Sequence, residues 1–402
     1  MSNTQKKNVP ELRFPGFEGE YSLDIFGNLA TNKSDKFNPQ NENASIDIEL
    51  DCIEQNTGRL IKIYNSKEFS SQKNKFNPQN VLYGKLRPYL NKYYFTKKSG
   101  VCSSEIWVLK STKEDKLLNL FLYYFIQTKR YSDVASKSAG SKMPRADWGL
   151  IENIRVYFPE LCEQQKIGEF FSKLDRQIEL EEQKLELLQQ QKKCYMQKIF
   201  SQELRFKDDN GNDYPEWEEK KLGELSQIVR GASPRPIKDP KWFNKESDIG
   251  WLRISDVTDQ NGKIYHLEQK LSIEGQEKTR VLLTTHLLLS IAASIGKPVM
   301  NFVKTGVHDG FLIFLNPKFN IFFMYYWLDY FKEKWSKYGQ PGSQVNLNSE
   351  IVKSRTLNMP SNHEQEKVGL FFSRNEKLIE LQQEKIMYLK RRKQALILKM
   401  FI

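Results

Sequence analysis

The residues most able to carry chemistry in this 402-residue chain are few and scattered. Its four cysteines, Cys52, Cys102, Cys162 and Cys194, lie far apart, and its four histidines, His266, His286, His308 and His363, form no paired ligand spacing with them. Metal sites and disulfide frameworks announce themselves through such pairs, so neither is expected. Asn316 in "NPKF" is the nearest approach to the Asn-Pro-Pro-aromatic loop of a base methyltransferase using S-adenosylmethionine, and no glycine-rich turn precedes it. A lysine-bearing Walker loop for ATP, a nuclease-type carboxylate and lysine set and a Ser-His-Asp elbow are all absent from the sequence. What the chain has in abundance is positive charge, 62 Lys and Arg against 50 Asp and Glu, for a formal net charge of +12. A positive mean field draws polyanions and speeds their encounter, so nucleic acid is the leading class of partner, with charge kept for solubility alone as the plainer reading. The chain reads as a binder and not as a catalyst.

The length favours two or more domains over one core. No apolar run reaches the roughly 18 to 20 residues a membrane span requires, and "MSNTQKKNVPELRF" lacks the apolar stretch of a secretory signal, so a cytoplasmic protein is expected.

Half of the chain repeats the other half. "EQQKIGEFFSKLDRQIELEEQKLELL" from Glu163 returns as "EQEKVGLFFSRNEKLIELQQEKIMYL" from Glu364, with identity at Pro159 and Pro360, Gly168 and Gly369, Phe171 and Phe372, Lys192 and Lys393, and Phe200 and Phe401. Upstream the correspondence continues with loops of changing length: "FLYYF" from Phe121 with "FMYYW" from Phe323, and "GVCSSEIWVL" from Gly100 with "GVHDGFLIFL" from Gly306. "QELRF" after the first copy matches "PELRF" from Pro10, so the start of the chain continues what its end leaves off. A cyclic order of this kind predicts two copies related by an approximate twofold axis.

The repeated segments carry heptad spacing. Ile167, Phe171, Leu174, Ile178, Glu181, Leu185, Leu188, Lys192, Tyr195 and Ile199 follow 4-3-4-3 steps, and Val368, Phe372, Asn375, Ile379, Gln382, Ile386, Leu389, Lys393, Leu396 and Met400 repeat them. A helix of about 35 residues, roughly 50 Å long, cannot bury such a stripe alone. Each copy is expected to pair antiparallel with the other, with a parallel coiled coil between two chains as the plainer reading of a lone seam. Lys192 and Lys393 at core positions suggest that other chains also pack against the pair. The remaining segments mix apolar strands, such as "HLLLSIAASIG", "GFLIFLN" and "CSSEIWVLK", with one aromatic helix each. The expected fold is therefore α+β, with two globular domains joined by two long antiparallel helices in a coiled coil and a pseudo-twofold internal repeat. The boundaries are a first domain at 1–158, a first helix at 159–201, a second domain at 202–359 and a second helix at 360–402.

Two variable domains, each closed by a "P...EQ.KIG.FF..LD..I" segment, with "ELRFPGFEGEYSLDIFG" and "YPEWEEKKLGEL" as lead-ins, resemble the DNA specificity subunit of type I restriction-modification systems over essentially the whole length. The resemblance implies that each domain is a target recognition domain reading one half of a bipartite double-stranded DNA site, with the helices as a ruler between halves. Two readers on one face of a duplex sit about 34 to 36 Å apart, within the reach of such a rod. It further implies docking of two modification (methyltransferase) subunits and of restriction and translocase subunits, with no cofactor in this chain: S-adenosylmethionine, ATP and Mg belong to the partners. The rival reading is a two-headed coiled-coil scaffold that binds proteins.

Base edges are read by Arg, Lys, Asn and Gln side chains, whereas phosphates require only charge and amides. On that chemistry "YGKLRPYLNK" offers Lys85, Arg87, Tyr89, Asn91 and Lys92, and "AGSKMPR" offers Ser141, Lys142 and Arg145. "VRGASPRP" offers Arg230, Ser233 and Arg235, "PGSQVNLN" offers Ser343, Gln344 and Asn346, and Lys297 stands beside them. His308 is a weaker candidate of the same kind and reads more readily as a structural histidine. For subunit docking and the helix seam, the candidates are Glu163, Gln164, Ile167, Phe171 and Ile178 with their repeats Glu364, Gln365, Val368, Phe372 and Ile379.

Overall fold

The computed structural model describes residues 8–38, 46–65, 71–137, 143–292, 294–338 and 347–402. In the first half of the chain the strands are β1 (Ser22–Ile25), β2 (Ala30–Thr31), β3 (Lys36–Phe37), β4 (Asp47–Ile48), β5 (Lys73–Phe76), β6 (Val81–Gly84), β7 (Tyr93–Phe95), β8 (Gly100–Cys102), β9 (Ile106–Ser111) and β10 (Arg155–Phe158). In the second half they are β11 (Glu218–Lys221), β12 (Gln227–Arg230), β13 (Gly250–Leu252), β14 (Lys263–Ile264), β15 (Arg280–Leu282), β16 (Leu287–Ser290), β17 (Pro298–Asn301), β18 (Thr305–Val307), β19 (Phe311–Leu315) and β20 (Thr356–Met359). The helices that matter below are α1 (Asn119–Phe125), α2 (Leu161–Phe200), α3 (Ile321–Phe331) and α4 (Asn362–Met400).

The chain divides into two units, Met1–Glu182 with Glu384–Ile402, and Gln183–Gln383. Each long helix therefore contributes one part to each unit. In unit 1 the main sheet has the order β2-β9-β6-β7, all antiparallel, and a second sheet the order β3-β5-β8-β4. In unit 2 the main sheet is β12-β19-β16-β17-β14 and the second is β13-β18-β15.

The apolar runs are explained by burial on both faces. Along β6 and β9, Val81, Tyr83, Trp107 and Leu109 pack toward α1 and the long helices, while Leu82, Ile106 and Val108 pack toward the second sheet. In β16 and β19 the same division holds, Leu287, Leu289, Leu312 and Phe314 on one side and Leu288, Phe311 and Ile313 on the other. A strand covered on both faces must be apolar at every position, which is why these segments read as continuous runs and not as alternation.

The aromatic helices are the inner layer. In α1, Phe121, Leu122, Tyr124 and Phe125 are buried, and in α3 Phe323, Met324, Tyr326 and Leu328 are buried. Asn320 caps α3, its side chain accepting from the backbone N–H groups of Phe322 and Phe323 at 3.0 and 3.1 Å. The long helices lie directly on these, and glycine permits it: a Cβ at Gly168 would stand 2.6 Å from Leu120 Cγ, and one at Gly369 3.1 Å from the Phe323 nitrogen.

The antiparallel two strands β1 and β10 close unit 1 just before Pro159, and β11 with β20 close unit 2 just before Pro360. Proline cannot continue a ladder, and the long helices begin within two residues of it. They span 40 and 39 residues, about 60 Å each. The first ends at Phe200, with Gln202 in the left-handed region at φ 65°, the usual way of stopping a helix. Within each unit the two helix segments run antiparallel: Asp175 meets Lys393 and Phe171 meets Phe401 in unit 1, and Lys192 meets Glu376 and Phe200 meets Phe372 in unit 2. The expected α+β fold with paired long helices is present, and the seam positions Ile167, Phe171, Ile178, Val368, Phe372 and Ile379 are buried.

Candidate nucleic-acid interface

The seam lysines have partners inside the chain. In unit 1, Lys393 Nζ lies 2.7 Å from Asp175 and donates to Gln127 at 2.9 Å, while the Tyr124 hydroxyl donates to Asp175 at 3.0 Å and lies 3.2 Å from Ser172. In unit 2 the same arrangement recurs one repeat later. Lys192 Nζ donates to Glu376 at 2.8 Å, Lys263 pairs with the other carboxylate oxygen, and the Tyr326 hydroxyl donates to Glu376 at 2.8 Å and lies 3.4 Å from Ser373. Burial pushes the Tyr124 and Tyr326 hydroxyls far above their ordinary range, and the adjacent carboxylates add to it. Burial also pushes Glu376 up, but Lys192 and Lys263 outweigh it and hold the carboxyl below its usual range. Each lysine faces an acid on the other long helix and completes a polar cluster that locks a long helix to an aromatic helix.

Of the docking and seam candidates, Glu163, Gln164, Glu364 and Gln365 are internal ties. Glu163 accepts from Arg13 Nε and Nη2 at 2.8 and 2.7 Å and from the Tyr21 hydroxyl at 3.3 Å. Its repeat Glu364 accepts from Arg205 Nε and Nη2 at 3.3 and 2.8 Å and from Trp217 Nε1 at 3.0 Å. Gln164 donates to the carbonyls of Lys116 and Pro159 and accepts from the Leu118 N–H at 2.9 Å, and Gln365 accepts from the Asn320 N–H at 2.8 Å. All four are at most 2% exposed, so a partner chain has nothing of them to touch. They tie the start of each long helix to its lead-in arginine and to the start of the aromatic helix.

The loops sort differently. In unit 1, Arg87 and Asn91 flank a turn at Pro88–Leu90 and both sit in the left-handed region, at φ 52° and 46°. Non-glycine residues there carry strain that a surrounding frame must hold. The frame is visible: the Arg87 N–H donates to the Pro144 carbonyl at 2.7 Å, Leu86 bridges Arg145, and Ala146 N–H donates to the Lys85 carbonyl at 2.8 Å. Arg87 and Tyr89 project exposed from this turn, and Lys85 is half-buried at its base. Asn91 donates to Asn56 at 3.1 Å and Lys92 donates to the Leu50 carbonyl at 2.5 Å, so these two are engaged by the fold. Ser141 and Lys142 lie outside the described residues.

In unit 2, Arg230 Nε donates to the Asp309 carbonyl at 2.6 Å, Ser233 Oγ to Asp309 Oδ1 at 2.8 Å and Arg235 Nη2 to Asp309 Oδ2 at 2.6 Å. Burial pushes Asp309 up, but the Ser233 hydroxyl, Arg235, His308 and Arg230 together hold it below the usual carboxylate range. Gly231 is required where it stands, because a Cβ there would collide with the His308 carbonyl. His308 packs against Trp251 and Phe311 and accepts the Gly310 N–H at Nδ1, 2.8 Å away, and burial presses its pKa down. It is structural. Lys297 donates to the Val257 carbonyl at 3.2 Å, with burial and Lys332 lowering its pKa, and is also engaged by the fold. Ser343, Gln344 and Asn346 lie outside the described residues.

Sequence reasoning missed Glu105, Asp309, Asp175, Glu376, Arg13 and Arg205. For the last four a signal existed, since the acid and the arginine recur in both copies. Among the described residues no His, Cys, Asp and Glu group could hold a metal ion, and no helix is long and apolar enough to cross a membrane.

Comparison with known proteins places these features. Residues 20–190 and 214–391 each match the family described as type I restriction modification DNA specificity domain. The specificity subunit of the type I restriction enzyme MjaVIII of Methanocaldococcus jannaschii is 26% identical over 310 residues, 72% of this chain and 71% of that one. That of EcoDI from Escherichia coli is 25% identical over 169 residues, 40% of this chain and 37% of that one. Among solved structures, a chain from work on complex assembly and conformational transition of the type I R-M system matches with TM-score 0.60 at 17% identity, covering 94% of this chain and 96% of that one. The S subunit of the type I restriction-modification system of M. genitalium matches with TM-score 0.58 at 13% identity, covering 98% of this chain and 99% of that one. Those two likenesses concern the fold alone.

Proposed function

The chain belongs to the type I restriction modification DNA specificity family, and from that premise we propose that each unit reads one half of a bipartite double-stranded DNA target. The chain is the non-catalytic specificity subunit of a type I restriction-modification complex. One observation carries the half-site reading. The two units share their internal ties, Arg13–Glu163 with Arg205–Glu364 and Tyr124–Asp175–Lys393 with Tyr326–Glu376–Lys192, yet differ in their exposed loops. A common frame with different exposed arginines suits two readers of different sequences.

In this reading Arg87, Tyr89, Arg145, Arg230 and Arg235 face DNA, and the long helices set the distance between the halves. The helices also dock two modification subunits, which bring the methyltransferase chemistry and recruit the restriction and translocase subunits. The docking surface lies in apolar side chains left exposed on otherwise charged helix faces: Leu180, Met387 and Tyr388 in unit 1, and Leu187, Leu378 and Leu381 in unit 2. In this reading the complex acts on DNA in the cytoplasm.

Duplex binding by the chain with its modification subunits tests this. Log affinity should fall linearly with log salt, with a slope of about −0.9 per phosphate neutralised, and the fall should be joined by preference for one sequence. An affinity that moves with neither salt nor sequence would contradict it.

A further inference from the structure

Both units carry a carboxylate in the turn that follows the same strand of the second sheet, and in both that carboxylate holds an exposed arginine from a distant segment. In unit 1 the turn between β8 and β9 holds Glu105, which accepts from Arg145 Nε at 2.9 Å and Nη2 at 3.2 Å. In unit 2 the turn between β18 and β19 holds Asp309, which accepts from Arg235 Nη2 at 2.6 Å. The residues do not correspond in the repeat: "GVCSSEIWVL" and "GVHDGFLIFL" align Ser103 with Asp309 and Glu105 with Phe311. The arginines come from opposite ends of their domains. The arrangement has thus been reached twice from different residues.

Stability does not account for it. The arginine side chains are 51% and 69% exposed, and ion pairs so open to solvent contribute little to stability. Geometry does. A guanidinium has five N–H donors in one plane, and a carboxylate on one edge leaves donors for another acceptor while restricting the rotamers of a long side chain. An arginine so held loses less freedom on binding, and guanine O6 and N7 are the base acceptors that suit two parallel donors.

We propose that Glu105 and Asp309 are positioning residues for DNA reading, each presenting one arginine, Arg145 or Arg235, to a guanine edge in the half-site of its own unit. This rests on the reading of one half-site per unit given above. The test uses the full chain assembled with its modification subunits, a randomised duplex library and sequencing of the methylated products. R145A loses discrimination at one guanine of one half-site, by about 5-fold to 150-fold, and R235A does so in the other half. E105Q and D309N each weaken discrimination at the same position as their arginine, leave the other half unchanged and leave the hydrogen-exchange protection of their own unit unchanged. In the unsubstituted protein, 7-deazaguanine at those positions gives the same loss, a readout that a merely structural carboxylate would not share. A wild-type profile for E105Q and D309N, where the arginine variants shift theirs, overturns the positioning role. A wild-type profile for the arginine variants as well removes these loops from base reading, while reading by the unit as a whole is judged separately by domain exchange.

Discussion

Replacing Glu376 by alanine is expected to destabilise unit 2 by about 3–5 kcal/mol, the cost of stranding buried charge whose partner has been removed. The carboxylate is 10% exposed and faces Lys192 at 15% and Lys263 at 14%, with the Tyr326 hydroxyl as a third donor. Its loss leaves two shielded ammonium groups without the carboxylate they share, with Asp329 as the remaining acid near Lys192. Replacing the carboxylate and both lysines together by apolar side chains of similar size should cost far less, because the three paired charges leave together. Hydrogen exchange of the β16 and α3 amides reports the unit directly, where a single unfolding midpoint for a two-unit chain would not. Unchanged protection in E376A would show that the cluster does not support the unit. The pH dependence has a definite sign. Lys192 and Lys263 hold Glu376 below its ordinary value, so its stabilisation is present at neutral pH. That contribution fades as pH falls through the usual carboxylate range to the lower folded value, and E376Q should flatten this part of the acid profile.

Phe171→Ala and Phe372→Ala are expected to cost about 3–5 kcal/mol each, in unit 1 and unit 2 respectively. Both rings are fully buried where a long helix, its antiparallel partner and an aromatic helix meet. Phe171 lies 5.2 Å from the Tyr124 ring and 6.2 Å from Phe401, and Phe372 lies 5.2 Å from Tyr326 and 5.8 Å from Phe200. Truncation removes ring contacts to two neighbouring segments at once, and the gap lies between packed helices. Leucine at either position should recover most of the loss. Each alanine variant should lower exchange protection in its own unit. A loss below about 1 kcal/mol would mean that the seam is less tightly packed than these distances indicate.

Much of this frame could be read from residues alone. The repeat, the heptad stripe and the apolar strands are local or periodic signals, and they predicted two long paired helices and buried sheets. The roles of Glu163 and Glu364 were not legible, because a glutamate at the start of a charged helix looks solvated, and only the fold brings Arg13 and Arg205 to it. Lys192 and Lys393 misled for the same reason: a lysine at a core position announces an acidic partner, but not that the partner sits on the other copy of its own helix. The candidate loops divide by a criterion no sequence carries. Arg87 projects outward while Lys92, five residues on, is spent on the Leu50 carbonyl. Glu105 and Asp309 were invisible because they do not align in the repeat.

Exchange of residues 22–158 for the corresponding segment of a relative with a different target tests the central claim most directly. The boundaries fall at β1 and β10, so Arg13, Tyr21 and Glu163 stay in place. Sequencing the methylated sites of cells carrying the exchanged chain should show one half of the target replaced and the other half and the spacing retained. A change in both halves, or in neither, would contradict the assignment of one unit to one half-site.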